Sequence, residues 1–298
     1  MQKPHSEETF RDVPAAQKEE WQAFRATHPP VKLPVQGYTW EYLISGQGEE
    51  TLVLLTGGLN SGEVWFKIIS AFEKTYRVIA VRYPNVATLA EVVEGVVAIL
   101  DAEQVQRAHI LGESLGGMVA QGLVRRYPDR VASMILASTA APVETQAPRM
   151  KRLKLMVHLM PASVLRSLSV KRVLSLLVGM SADERAFWQA FLTEQVVLCS
   201  TKSWLISQYK LLVDYCEHYH FAPEDLAHWT GAILILAADD DQIVQRIAPG
   251  SLARYYPNAS THIFHEAGHS PLLTKRQEYI EVVQEFLRAN QQAHASQS

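Results

Sequence analysis

The chain has 298 residues, of which 48% are hydrophobic and 20% charged, with a formal net charge of −3 and a pI near 6.4. A chain of this size buries a large core, and the composition excludes extended disorder away from the ends. The near-balanced charge gives no overall field that would gather nucleic acid or anionic lipid.

The first stretch, residues 1–36, is polar and proline-containing, and reads as an N-terminal arm with a short helix over Lys18–Ala26. From Gly37 the pattern changes. "YTWEYLIS" reads as a strand, Gly46-Gln47-Gly48 as a turn, and Thr51–Leu55 as an apolar strand ending at two glycines. A helix is predicted over Glu63–Phe72, followed by the strand "YRVIAVRYP", which Pro84 closes. A helix over Thr88–Leu100, the strand "RAHILG", a helix over Leu115–Arg126 and the strand "RVASMILAST" complete the run. Short apolar strands alternating with longer helices predict an α/β fold, a mostly parallel central sheet covered by helices on both faces.

That rhythm stops at Ala141. Residues 141–229 are helical and strand-poor, with Pro161 as a break and Asp183 as an N-cap. Strand character returns in "GAILILAADD" and "ASTHIFH", and a closing helix is predicted over Lys275–Ala289, before a polar tail. The expected organisation is a core made of 37–140 and 230–298 with a helical cap over 141–229, placed at the carboxyl ends of the strands, where open α/β sheets bind ligands. Cys199 and Cys216 match no metal-ligand spacing and read as reduced thiols. No run approaches the roughly 18 apolar residues of a membrane span, and the first thirty residues contain no signal-like apolar stretch. A soluble cytoplasmic protein with a small-molecule substrate is expected; oligomeric state is not indicated.

Two motifs carry chemistry. His265-Glu266-Ala267-Gly268-His269 matches H-E-x-x-H, which on a helix would bind zinc through both histidines. Here a β-branched strand runs into the motif, Gly268 lies inside it and Pro271 follows, so a loop is expected and no metal or cofactor is implied. The second motif is Gly112-Glu113-Ser114-Leu115-Gly116, a G-x-S-x-G pattern between an apolar strand and a breaker-free helix. Such a turn is tight and strained. It lifts Ser114 out of the sheet as a nucleophile and aims the Leu115 amide, at the helix N-terminus, toward a developing oxyanion.

On these residues the chain, from about Gly37 to Arg288, resembles the α/β-hydrolase superfamily, most closely its lid-bearing esterases, lipases and carbon–carbon hydrolases. Tyr76–Gly117 is also similar to the maspardin family. The resemblance implies a Ser-Asp-His order. Its acid loop commonly reads G-x-x-D, and with Ala238 at the glycine position Asp241 takes the acid role; Asp240 is the alternative and Asp239 a distant third. His269, in "AGHSP", becomes the base. The family's His-Gly loop is replaced by Thr56-Gly57, which makes Gly58 the second oxyanion donor, with Leu59 the alternative. Glu113 is unusual beside a nucleophile and reads either as a buried brace or as a charge near the elbow. The serine argues against aspartate-nucleophile dehalogenases and epoxide hydrolases.

The implied activity is cleavage of an ester or thioester of a small, largely apolar substrate. Met156, Met160, Phe187, Trp188, Trp204 and Tyr209 are the aromatic and sulfur-bearing candidates for a pocket in the cap. Two alternatives stand beside it: carbon–carbon hydrolysis or cofactor-free perhydrolysis on the same triad, and a non-enzymatic scaffold or adaptor. A carboxylate-bearing substrate would want a cation facing the pocket, for which Lys151, Arg152 and Lys154 are candidates.

Overall fold

In the computed structural model, which describes residues 6–247 and 251–295, the apolar runs form one eight-stranded sheet. Its strands are β1 (Val31–Val35), β2 (Tyr38–Ser45), β3 (Thr51–Leu55), β4 (Arg77–Arg82), β5 (Ala108–Glu113), β6 (Val131–Ala137), β7 (Ala232–Ala238) and β8 (Ser260–Phe264). They lie in the order β1-β2-β4-β3-β5-β6-β7-β8, with β1 and β2 antiparallel to their neighbours and every other pairing parallel. Every residue of β3 and β5 is buried, as central strands covered on both faces require. The edge strand β1 alternates toward solvent, with Lys32 and Pro34 outward, whereas β8 is exposed along most of its length and buries only Phe264.

The longer helices among the described residues are α1 (Ala15–Thr27), α2 (Phe66–Phe72), α3 (Leu89–Ala102), α4 (Leu115–Arg126), α5 (Ala147–Leu159), α6 (Ala162–Leu174), α7 (Ala182–Cys199), α8 (Lys202–His218) and α9 (Arg276–Ala295). Two core clusters, one on each face of the sheet, show why these sequences fold where they do. On one face Trp21, Phe66, Phe72, Phe191, Tyr279 and Val283 join α1, α2, α7 and α9. On the other, Val92, Val96, Val119, Leu123, Trp204 and Leu211 join α3, α4 and α8. The predicted helix over Thr88–Leu100 starts at a capping box, in which the Thr88 hydroxyl accepts the Glu91 amide and the Glu91 carboxylate accepts the Thr88 amide.

Three expectations need adjusting. The polar arm is packed: its helix runs Ala15–Thr27 and buries Trp21 and Phe24, with Trp21 edge-on to Phe191 at 5.0 Å, and β1 supplies an edge strand. Two aromatics three residues apart on one helix face outweigh the polar composition around them. Ser181, not Asp183, caps α7, its hydroxyl accepting the Glu184 amide. The closing helix continues to Ala295, through a Gln- and Ala-containing segment of good helix formers. Between β6 and β7 the four helices α5–α8 pair as α5 on α8 and α6 on α7. No helix among the described residues is long and apolar enough to cross a membrane.

Candidate active site

Ser114 stands between β5 and α4 with φ 53° and ψ −113°, a conformation that L-residues seldom hold unless their surroundings impose it. The two glycines are a packing requirement. A Cβ on Gly112 would lie 2.3 Å from the Gly116 carbonyl oxygen, and one on Gly116 would lie 2.0 Å from the Leu55 carbonyl oxygen. The strained turn is held from both sides: the Ser114 amide donates to Ala137 O at 2.9 Å, and the Thr139 hydroxyl donates to Ser114 O at 2.7 Å.

The loops after β7 and β8 bring Asp241 and His269 to this serine. The structure places His269 Nε2 3.3 Å from Ser114 Oγ, and His269 Nδ1 2.8 Å from Asp241 Oδ2. Asp241 is buried, and its Oδ1 accepts the amides of Ile243 at 2.9 Å and Val244 at 3.1 Å. With Nδ1–H donated to the carboxylate, Nε2 is the nitrogen free to accept the serine proton.

The other two aspartates, the alternatives for the acid, also bond to the histidine loop. Asp240 Oδ1 accepts the amides of Ala267 at 3.1 Å and Gly268 at 2.8 Å, and Asp239 accepts Glu266 N at 3.1 Å and pairs with His265 Nδ1 at 2.6 Å. Three consecutive carboxylates thus fasten three points of the histidine loop. The HEAGH segment is a loop, and its two histidines meet different carboxylates. His262 pairs with Glu278 at 2.8 Å, away from the serine.

Glu113 is a brace. Its carboxylate accepts the Ser270 hydroxyl at 2.7 Å, tying the elbow to the residue after His269. Burial pushes this carboxyl above the ordinary range, the charge of Asp241 adds to the effect, and the Ser270 hydrogen bond and His269 oppose it. The loop after β3 is held without the family's histidine. The Thr56 hydroxyl donates to Val81 O at 3.1 Å, and the Asn60 amide exchanges hydrogen bonds with the Tyr83 backbone at 2.8 and 2.9 Å. Trp204 donates its indole N–H to Gly58 O at 2.9 Å.

A cavity of about 320 Å³ reaches Ser114, His269, Gly58 and Glu113 from among α5, α6, α7 and α8. Of the six large side chains singled out in the sequence, Met156, Met160 and Tyr209 line it. Phe187, Trp188 and Trp204 do not: Trp188 packs on Phe66 and Phe191, and Trp204 on Tyr83. Nor do Lys151, Arg152 and Lys154 reach the cavity; the cation bordering it is Arg172. Leucine and methionine at helical spacing look alike from sequence whether they face a cavity or a core, so only the packing separates them.

The family model for the alpha/beta hydrolase fold matches residues 50–276. A 2-hydroxy-6-oxononadienedioate/2-hydroxy-6-oxononatrienedioate hydrolase of Paraburkholderia phymatum is 26% identical over 272 residues, covering 83% of this chain and 90% of the relative. A poly(3-hydroxyalkanoate) depolymerase of Ectopseudomonas oleovorans is 26% identical over 264 residues, covering 83% and 88%. A solved hydrolase structure from Pseudomonas aeruginosa superposes with TM-score 0.70 at 22% identity, covering 87% of this chain and 98% of that one, a likeness of fold.

Proposed function

The chain belongs to the alpha/beta hydrolase fold family and is a hydrolase, and from that premise we propose that it cleaves an ester or thioester of a small, largely apolar substrate through an acyl-enzyme on Ser114. The observation that carries this reading is the continuous relay Ser114–His269–Asp241 at the base of a mainly apolar cavity. Ser114 Oγ attacks the carbonyl carbon while His269 Nε2 takes its proton. Asp241 holds the tautomer and stabilises the imidazolium. The oxyanion is assigned to the amides of Leu115, which heads α4 and has no intrahelical acceptor, and of Gly58, whose carbonyl is drawn to Trp204. His269 returns the proton to the leaving alcohol or thiol. Water then attacks the acyl carbon with His269 again as base, releasing the acid and regenerating Ser114. No step needs a metal or cofactor. Residues 141–229 act as a lid that excludes water from the acyl group.

Carbon–carbon hydrolysis is the second reading, and one specific observation favours it. Arg172 borders the cavity with no acidic partner among the described residues, which would suit a carboxylate such as the dioate in the relative's name. The rest of the lining is mostly apolar, which places the ester first.

The test is fluorophosphonate labelling read by intact mass, followed by turnover of a soluble activated ester. Wild type should gain one label and Ser114→Ala none, with ester turnover lost and folding kept. A label that persists in Ser114→Ala, or turnover above a few per cent of wild type, rejects the assignment.

A further inference from the structure

The overall charge hides a local reversal. From 141 to 180 the sequence has seven Lys and Arg against a single acid, Glu144, within a chain of net charge −3. Lys151 pairs with Glu217. Arg149, Arg152, Lys154, Arg166, Lys171 and Arg172 have no acidic partner among the described residues.

The same two helices expose large apolar side chains. Leu155 is 57% exposed, Leu159 72%, Val164 44% and Leu168 48%. Such residues scattered singly need no explanation, but here they are aligned with the cations. Arg152, Leu155 and Leu159 follow i, i+3, i+7 along α5, and Val164, Leu168 and Lys171 follow i, i+4, i+7 along α6, so each set shares one outward face. Inward, α5 buries Met150 and Val157 and α6 buries Leu165, while the outward residues are left largely uncovered by the described residues. The face also borders the cavity: Met156 and Leu168 are both exposed and line it, with Arg172 beside them.

We propose that the outer face of α5 and α6 docks on an anionic phospholipid bilayer. The leucines and Val164 enter the headgroup–acyl boundary, the unpaired cations meet lipid phosphates, and the cavity mouth is turned toward the bilayer. Charge selects this occupant over others. A second copy of the chain would set this cationic face against itself, since a two-fold contact pairs a patch with its own image. An acidic soluble partner would satisfy the cations but leave no reason for the exposed leucines between them.

The test measures binding without turnover, so its outcome is separate from that of the hydrolase assignment. Protein is cosedimented with extruded phosphatidylcholine vesicles, with and without about half phosphatidylglycerol, at about 0.05 and 0.5 M salt. Wild type should bind the phosphatidylglycerol vesicles more tightly, and less so in high salt. Arg152→Gln with Lys171→Gln should weaken that partitioning roughly thirtyfold, at about fivefold per charge. Leu155→Ser with Leu159→Ser should remove the salt-resistant share. Both double variants should keep the wild-type melting temperature and turnover of a soluble short-chain ester, because none of the four residues lines the cavity. Absence of wild-type binding to anionic vesicles, or binding that neither double variant weakens, overturns the proposal. So does sensitivity to the charge variant alone, which would mark an electrostatic face for an acidic protein. A concentration-dependent dimer dissolved by the serine variant would overturn it as well, because the face would then be a self-interface.

Discussion

Replacing Asp241 by Asn changes a single group, and the surrounding hydrogen bonds dictate how the new amide sits. Asp241 Oδ1 accepts the amides of Ile243 and Val244 at 2.9 and 3.1 Å. The variant's carbonyl oxygen must stay there, or two buried N–H groups lose their acceptor. Its NH₂ then occupies the place of Oδ2, 2.8 Å from His269 Nδ1. The donor now 2.8 Å from Nδ1 opposes a proton there and favours the tautomer with the ring proton on Nε2, pointing a hydrogen at Ser114, against the 3.0 Å contact that Oδ1 still offers Nδ1. The base is lost while the loop is kept. The expected cost is about 10⁴ in kcat, or about 5.5 kcal/mol, with little change in melting temperature. Asp240→Asn retains an acceptor for the Ala267 and Gly268 amides and should keep most activity, whereas Asp240→Ala should not. Asp239→Asn should be nearly silent, since the side chains of Asp239 and His265 are 45% and 81% exposed. Steady-state kinetics on one activated ester, with melting curves for each variant, decide the matter. If Asp240→Asn is the crippling change and Asp241→Asn is benign, the acid has been assigned one residue too late.

Two further outcomes follow. Glu113 has a folded-state pKa raised by burial, so between the unfolded carboxylate value near 4.5 and the raised value the native protein holds a proton that the unfolded chain has released. Stability from this site is therefore lost as pH rises through that window. Glu113→Gln should gain melting temperature relative to wild type as pH rises above about 4.5, and a pH-independent difference refutes the buried-acid argument. Across acetyl, butyryl and hexanoyl esters of one alcohol, kcat/KM should climb by up to about fourfold per methylene, at about 0.8 kcal/mol each, until the cavity is filled. A flat series, or strict preference for acetyl, would mean that the cap residues do not receive an acyl chain.

What the sequence revealed is what is encoded locally. Gly112 and Gly116 exist because backbone passes within 2.3 and 2.0 Å of where their Cβ atoms would be, so a five-residue pattern is enough to find the elbow. Thr51–Leu55 and Leu115–Arg126 form the elements predicted, since an all-apolar run between turn signals and a breaker-free helix leave little choice. The arm was misjudged because Trp21 and Phe24 are a minority in a polar stretch, and their weight shows only when α2 and α7 are brought against them.

The parts that stayed hidden are joined across long separations, and they share a logic. Trp204 and Gly58 are 146 residues apart, and Ser270 and Glu113 are 157 apart. Trp204 looked like a pocket wall, but its indole N–H instead fixes the carbonyl of the proposed oxyanion donor. That contact runs from the four-helix segment into the core, so a shift of α8 would move the Gly58–Leu59 peptide, adjoining the Gly58 amide, as well as the cavity wall. Glu113 does the same on the opposite side of Ser114, coupling the elbow to the histidine loop through Ser270. Two loops of the site are therefore pinned by polar contacts to distant elements, part-buried at Trp204 and buried at Glu113, and a polar group buried this way costs more to release than it gains by forming. The rigidity needed around a 3.3 Å serine–histidine contact is thus supplied in part by side chains outside the proposed relay.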